Sequence, residues 1–180
     1  MPMQDKIATA KRINEMLTTI VQLGDFRVKY KITVDPPLPE DRDWEKPAIL
    51  VEFSGADSGM LIERNGELLR SIECVVMEAL RLGSEEHEKV AFDCMGFRRE
   101  RFDELKLAAE VAAQRVRERG TPYAFAPMSS RERRIIHLVL RDEEDLRTES
   151  EGMGPERHLV VYPKDYKGKP AAAPGVRRRR

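Results

Sequence analysis

Arg133 and His137 stand four residues apart in the stretch Arg131-Glu132-Arg133-Arg134-Ile135-Ile136-His137-Leu138-Val139-Leu140. On a helix that spacing brings both side chains to one side, while Ile135, Leu138 and Val139 are expected to point inward. A guanidinium beside an imidazole, on a face the core does not claim, offers a planar fork for phosphate and a flat ring for a base to stack on. The bland alternative is a solvated helix face that happens to carry a histidine. Just upstream, Ser129-Ser130-Arg131-Glu132 has the spacing of a capping box, so the helix should start there and run to about Leu140.

Two further places could meet an anionic chain. Glu63-Arg64-Asn65-Gly66 interrupts two helical patterns, and Arg64, Asn65 and Gly66 are candidates to approach a sugar-phosphate backbone. At the C-terminal end, Arg177, Arg178, Arg179 and Arg180 follow the Lys167 to Gly175 stretch, which has no apolar periodicity. Arg134 adds a further positive charge beside Arg133.

Catalytic chemistry has little to build on. A ribonuclease using His137 as acid or base is the enzymatic rival. The chain shows no nucleophile with a base and an orienting partner, no G-x-x-x-x-G-K loop and no dinucleotide fingerprint. His87 falls in the charged turn Gly83 to Glu88 and reads as solvated, and His158 opens a strand flanking the face of Arg133. Asp142-Glu143-Glu144-Asp145 reads as a solvated loop rather than a metal site. Cys74 and Cys94 have no metal-ligand spacing and read as reduced, structural thiols. No cofactor and no metal is called for.

The elements that must position these groups follow from periodicity. Ile7, Ala10, Ile13, Leu17, Ile20 and Val21 make an amphipathic helix over 5–23, with Gly24 as a left-handed stop. Phe26 to Val34 alternates as a strand, and a second strand runs from Ala48 to Ser54. Asp35 to Pro47, with four prolines and five acidic residues, must be an exposed loop, and Trp44 lies in it. After the break at 63–66 comes a helix with Leu69, Ile72, Val76 and Ala79 on one face, closed by Gly83. Lys89 to Asp93 is a third strand. A long helix over 97–119 carries Phe102, Leu105, Ala109, Ala112 and Val116 and is the candidate hinge. Tyr123 to Phe125, Leu146 to Glu151 and His158 to Tyr162 then read as strands.

Of the 180 residues 41% are hydrophobic and 36% charged, with 32 basic and 32 acidic side chains, so any site for a polyanion must be a local patch. No apolar run reaches the roughly 20 residues of a bilayer span and the first residues lack a signal-peptide layout, which points to a cytoplasmic protein.

The stretch Pro127 to Leu138 resembles the signature of the R-x-x-x-H single-stranded nucleic-acid-binding domain. Thr148-Glu149-Ser150-Glu151-Gly152 with Arg157-His158-Leu159-Val160-Val161-Tyr162-Pro163 is similar to that domain's closing hairpin as found in the bacterial Jag family. Gly55-Ala56-Asp57-Ser58-Gly59-Met60-Leu61-Ile62 with Gly66-Glu67-Leu68-Leu69 resembles the KH module that precedes it there. On these matches, over roughly 5–163, the chain is identified as resembling the Jag, or SpoIIIJ-associated KhpB-type, family of RNA-binding proteins. The resemblance implies an α+β protein: a type II KH-like domain over 1–96, its three-stranded sheet covered by helices on one face, then a small α/β R-x-x-x-H domain over 97–163, joined by the long helix. A disordered basic tail over 164–180 completes the layout, and the additional small N-terminal domain of many Jag proteins is not expected here.

The implied ligand is single-stranded RNA, or single-stranded DNA, and the implied role is non-enzymatic: a post-transcriptional regulator or RNA chaperone linked to cell elongation or division. A second small KH protein is the implied partner. One departure matters. The KH loop motif is G-x-x-G, and its first glycine is Glu63 here, a side chain and a negative charge where phosphate should pass. The alternative reading is therefore a protein-protein interaction or dimerisation module whose KH loop no longer binds RNA.

Overall fold

In the computed structural model, which describes residues 5–37 and 45–168, Asp5 opens helix α1 (Lys6–Leu23) by accepting the backbone N–H groups of Ile7 and Ala8 at 2.9 and 3.0 Å. Three strands follow, β1 (Val28–Val34), β2 (Ile49–Gly55) and β3 (Val90–Cys94), in the spatial order β1-β2-β3. β1 pairs antiparallel with β2, whereas β2 and β3 are parallel. A parallel pair needs a crossover, and α2 (Ser58–Leu80) with the short α3 (Ser84–His87) supplies it. This helix-strand-strand-helix-helix-strand order, with α2 broken in two, is the KH-like arrangement expected.

One face of this sheet is apolar because alternate residues point to it. Ile49, Val51 and Phe53 of β2 and Val90, Phe92 and Cys94 of β3 meet Ile13 and Leu17 of α1 and Leu61, Leu69, Ile72 and Val76 of α2 in a single core. Every side chain of β3 is buried, as a strand covered on both faces requires.

Two expected helix stops are displaced by one or two residues. Gly24 keeps right-handed backbone and the left-handed residue is Asp25, at φ 51°. Likewise Arg81, at φ 54°, ends α2 and not Gly83, which lies extended as the residue before α3. The turns exist where expected, but short polar or flexible side chains take the left-handed position, a conformation such residues adopt at modest cost.

The chain parts into two compact units between Arg98 and Arg99, within helix α4 (Phe97–Arg119). Arg98 closes the first unit. Its side chain is nearly buried and ion-paired with Glu45, with Glu73 4.0 Å away, and its backbone N–H donates to Asp93 at 3.1 Å. Burial alone would push the guanidinium pKa down, but Glu45 and then Glu73 and Asp93 outweigh it and raise it. Part of the proline-rich segment, expected only to be exposed, thus docks on α4 through Glu45. Trp44 lies outside the described residues.

The second unit holds the rest of α4, β4 (Tyr123–Ala124), α5 (Ser130–Val139), β5 (Leu146–Glu151) and β6 (His158–Pro163). Its sheet is antiparallel in the order β4-β6-β5. The central strand β6 is buried from His158 to Tyr162, which explains why its sequence is an apolar run and not an alternation. α4 buries Leu105, Ala109, Ala112, Ala113 and Val116, the expected stripe apart from Phe102, which is half-buried. No helix of the described residues is long and apolar enough to cross a membrane.

Candidate nucleic-acid interface

α5 begins with both halves of a capping box. The Ser129 hydroxyl accepts the Glu132 backbone N–H at 3.3 Å, and the Glu132 carboxylate accepts the Ser129 backbone N–H and hydroxyl, each at 2.9 Å. Arg101 of α4 donates to the same carboxylate at 2.8 Å. Burial pushes the Glu132 carboxyl up, but the Ser129 backbone N–H, Arg101 and the Ser129 hydroxyl together hold it below the ordinary carboxylate range. Downstream, Ile135 and Ile136 face the core. Ile136 is the fully buried residue of the helix, whereas Leu138 and Val139, expected inside, are only half-buried.

This registration turns Arg133 and His137 toward β5. Arg133 Nη1 donates to Ser150 Oγ at 2.8 Å, and His137 Nδ1 lies 2.6 Å from Thr148 Oγ1. The two hydroxyls are two residues apart on a strand, so they share its face. The two cationic residues are one turn apart on the helix, so the pairs meet in register. His137 is exposed. Arg133, expected to face solvent, is half-buried, and its Nε is buried without a partner among the described residues. Burial, and then the charge of Arg157, push its pKa down. Arg134 is exposed, about 100° round the helix from Arg133, and is not brought into this group.

In the first unit the break in α2 is a tight loop. Arg64, Asn65 and Gly66 take positive φ of 49°, 61° and 71°, while Glu63 is extended at φ −56° and ψ 155°. Glu63, Arg64 and Asn65 are exposed and Gly66 is buried. A Cβ on Gly66 would lie 2.6 Å from the Phe97 ring, so the second glycine of the motif is required on two grounds, its φ and the ring above it. Glu63 needs no glycine. The departure there changes charge and bulk, and leaves the backbone path intact. Arg64 lies 3.9 Å from Glu67 and is otherwise open to solvent. Arg177, Arg178, Arg179 and Arg180 lie outside the described residues.

Other candidate groups resolve into structural roles. His87 is half-buried, with Nε2 3.1 Å from the Leu82 carbonyl, and not simply solvated. His158 is buried, with Nδ1 3.0 Å from the Glu156 carbonyl, and so does not flank the face of Arg133. Glu143 and Asp145 are both held by Arg117, which ties the α5–β5 turn to α4. Thr148, Ser150 and Arg157 were not singled out by sequence reasoning. The signal for the first two was present, since Thr148-x-Ser150 on a strand puts two hydroxyls on one face.

Residues 103–163 match the R-x-x-x-H domain family, which is defined by an arginine and a histidine separated by three residues. The chain is 31% identical over 111 residues to the RNA-binding protein KhpB of Clostridium symbiosum, covering 62% of this chain and 50% of that protein. It is 27% identical over 156 residues to the KhpB of Lactiplantibacillus plantarum, covering 87% of this chain and 48% of the relative. With the KhpB of Bacillus subtilis the identity is 29% over 118 residues, 64% of this chain and 57% of that one. The chain thus spans about half the length of the curated relatives it matches.

Proposed function

We infer that the chain, a Jag-type, KhpB-like protein with an R-x-x-x-H domain, binds single-stranded RNA and does so without catalysing a reaction. One observation carries this reading: Arg133 and His137 are held side by side at the surface by two hydroxyls of β5. Such a pair offers a charged fork and a flat ring to an unpaired nucleotide, and hydroxyl anchors reduce the ordering cost of binding. Two nucleic-acid modules, a KH-like one over 1–96 and the R-x-x-x-H one over 97–163, form the working arrangement. In the first, the left-handed Arg64-Asn65-Gly66 loop presents its backbone outward. The role we assign is a cytoplasmic post-transcriptional regulator or RNA chaperone, linked to cell elongation or division, with a second small KH protein as partner. The C-terminal arginines add sequence-independent phosphate contacts.

Fluorescence anisotropy with short single-stranded RNA at low salt tests the reading. Binding that Arg133→Ala and His137→Ala both weaken is the expected outcome, with the labelled RNA uncut after long incubation. Affinity unchanged in both variants would remove the site. A second reading rests on Glu63, whose exposed carboxylate opens the KH loop. If the loop serves only pairing with another protein, Arg64→Glu leaves RNA affinity unchanged.

A further inference from the structure

Arg133 is bonded on one side only, and this has a cause in the hairpin opposite. Its Nη1 reaches Ser150, while Nε is buried and unbonded. The carboxylates of β5 do not neutralise it. Glu149 is ion-paired with Arg147 and Glu151 accepts the Tyr162 hydroxyl, both on the face of the strand opposite Ser150. Glu132, in the preceding turn of α5, is taken by Arg101 and Ser129. Among the described residues neither Arg133 nor Arg157 has a carboxylate partner.

Arg157 is fixed beside them by backbone. Its carbonyl accepts the Met128 N–H at 3.1 Å, next to the residue that caps α5, and its own N–H donates to Gly154 at 3.2 Å. The connection from β5 closes so tightly that a Cβ on Gly152, at φ 81°, would lie 2.7 Å from the Glu156 carbonyl oxygen. Leu159, two residues beyond Arg157, pairs directly with Ser150. The start of α5, Ser150 and Arg157 therefore meet at one place, and the charge of Arg157 is felt at Arg133. Two guanidinium groups that repel each other, without a carboxylate between them and with a donor left over, leave room for an anion with several acceptor oxygens.

We propose that Arg157 and Arg133 form a two-arginine clamp for one internal phosphodiester of single-stranded RNA. Ser150 positions the Arg133 side of the clamp, and Gly152 sets the turn that presents Arg157. The clamp rests on the RNA-binding reading above and adds to it a residue outside the R-x-x-x-H spacing.

The test uses the full chain and 3′-fluorescein-labelled decauridylate with a 5′-hydroxyl, so that no terminal phosphate competes. Anisotropy is followed from about 25 to about 200 mM KCl. Arg157→Gln should bind roughly tenfold more weakly at low salt, with a log-log salt slope smaller by about 0.7, the loss of one single-strand phosphate contact. Arg157→Lys should keep the slope and recover part of the affinity, because charge survives and the fork does not. Arg133→Gln combined with Arg157→Gln should lose less than the product of the single losses, since both hold one group. Arg157 is exposed, so melting temperatures should match wild type. Arg157→Gln with wild-type affinity and slope, while Arg133→Gln weakens binding, would overturn the clamp and leave the R-x-x-x-H site standing. No binding by the wild-type chain even at the lowest salt would remove the RNA reading and the clamp with it.

Discussion

His137 Nδ1 lies 2.6 Å from Thr148 Oγ1, so the strand hydroxyl decides how the imidazole is turned and leaves Nε2 as the nitrogen facing away. A ring tethered at one nitrogen presents its face and its other nitrogen in one orientation. Thr148→Val keeps the shape of the side chain and removes the tether. RNA affinity should fall several-fold, while stability changes by less than about 1 kcal/mol, because the lost bond is exposed. Anisotropy titrations beside thermal melts of the same samples check both halves.

Arg133 and His137 should respond differently to truncation, even though both lie on the same side of α5. His137→Ala should cost about 1 to 3 kcal/mol of RNA binding and almost no stability. Arg133→Ala should cost a similar amount of binding and in addition about 0.5 to 1.5 kcal/mol of stability, since its half-buried guanidinium gives up a bond to Ser150. Urea unfolding separates the two. Equal midpoints for both variants would contradict the burial of Arg133.

The KH-like loop predicts opposite signs at its two ends. Gly66→Ala should destabilise by about 1 to 3 kcal/mol, from its positive φ and the Phe97 ring 2.6 Å from the new Cβ. Glu63→Gly should leave stability nearly unchanged and strengthen RNA binding a few-fold at low salt, because it removes a negative charge from an exposed position whose backbone is already extended. Glu63→Gly binding no better than wild type, while Arg133→Ala abolishes binding, would assign RNA contact to the second unit alone.

Acid sensitivity should trace to Glu132. Its folded pKa is depressed, so the stability it contributes is fully present above its unfolded value, about 4.3, and is lost as pH falls through the folded value. Glu132→Gln removes this titration. The variant should be less stable than wild type at neutral pH, and its stability should change less between about pH 5 and about pH 2, as measured by thermal melts across that range.

Much of this architecture was legible because its signals are local. The alternation of Val28, Tyr30 and Ile32, the capping spacing of Ser129 and Glu132 and the helical spacing of Arg133 and His137 each depend on residues a few positions apart. What stayed hidden depends on distance along the chain. Glu45 and Arg98 are 53 residues apart, and nothing near either marks a buried ion pair. Ser150 lies 17 residues from Arg133, and only the pairing of β5 under α5 reveals that they touch. The left-handed positions at Asp25 and Arg81 were missed for another reason. A glycine nearby names a turn but does not fix which residue within it takes the unusual φ.

Glu132 has a consequence for how this surface can tell one ligand from another. The exposed N–H groups at the start of a helix commonly form a ready seat for phosphate. On α5 that seat is filled from within, by a carboxylate already holding the Ser129 backbone and pinned by Arg101. A small free anion therefore finds no backbone cradle there, and a chain of phosphates must be read by side chains further along the helix. The self-filled terminus acts as a filter, discouraging mononucleotides and inorganic phosphate and leaving the surface to polymers that engage several side chains at once.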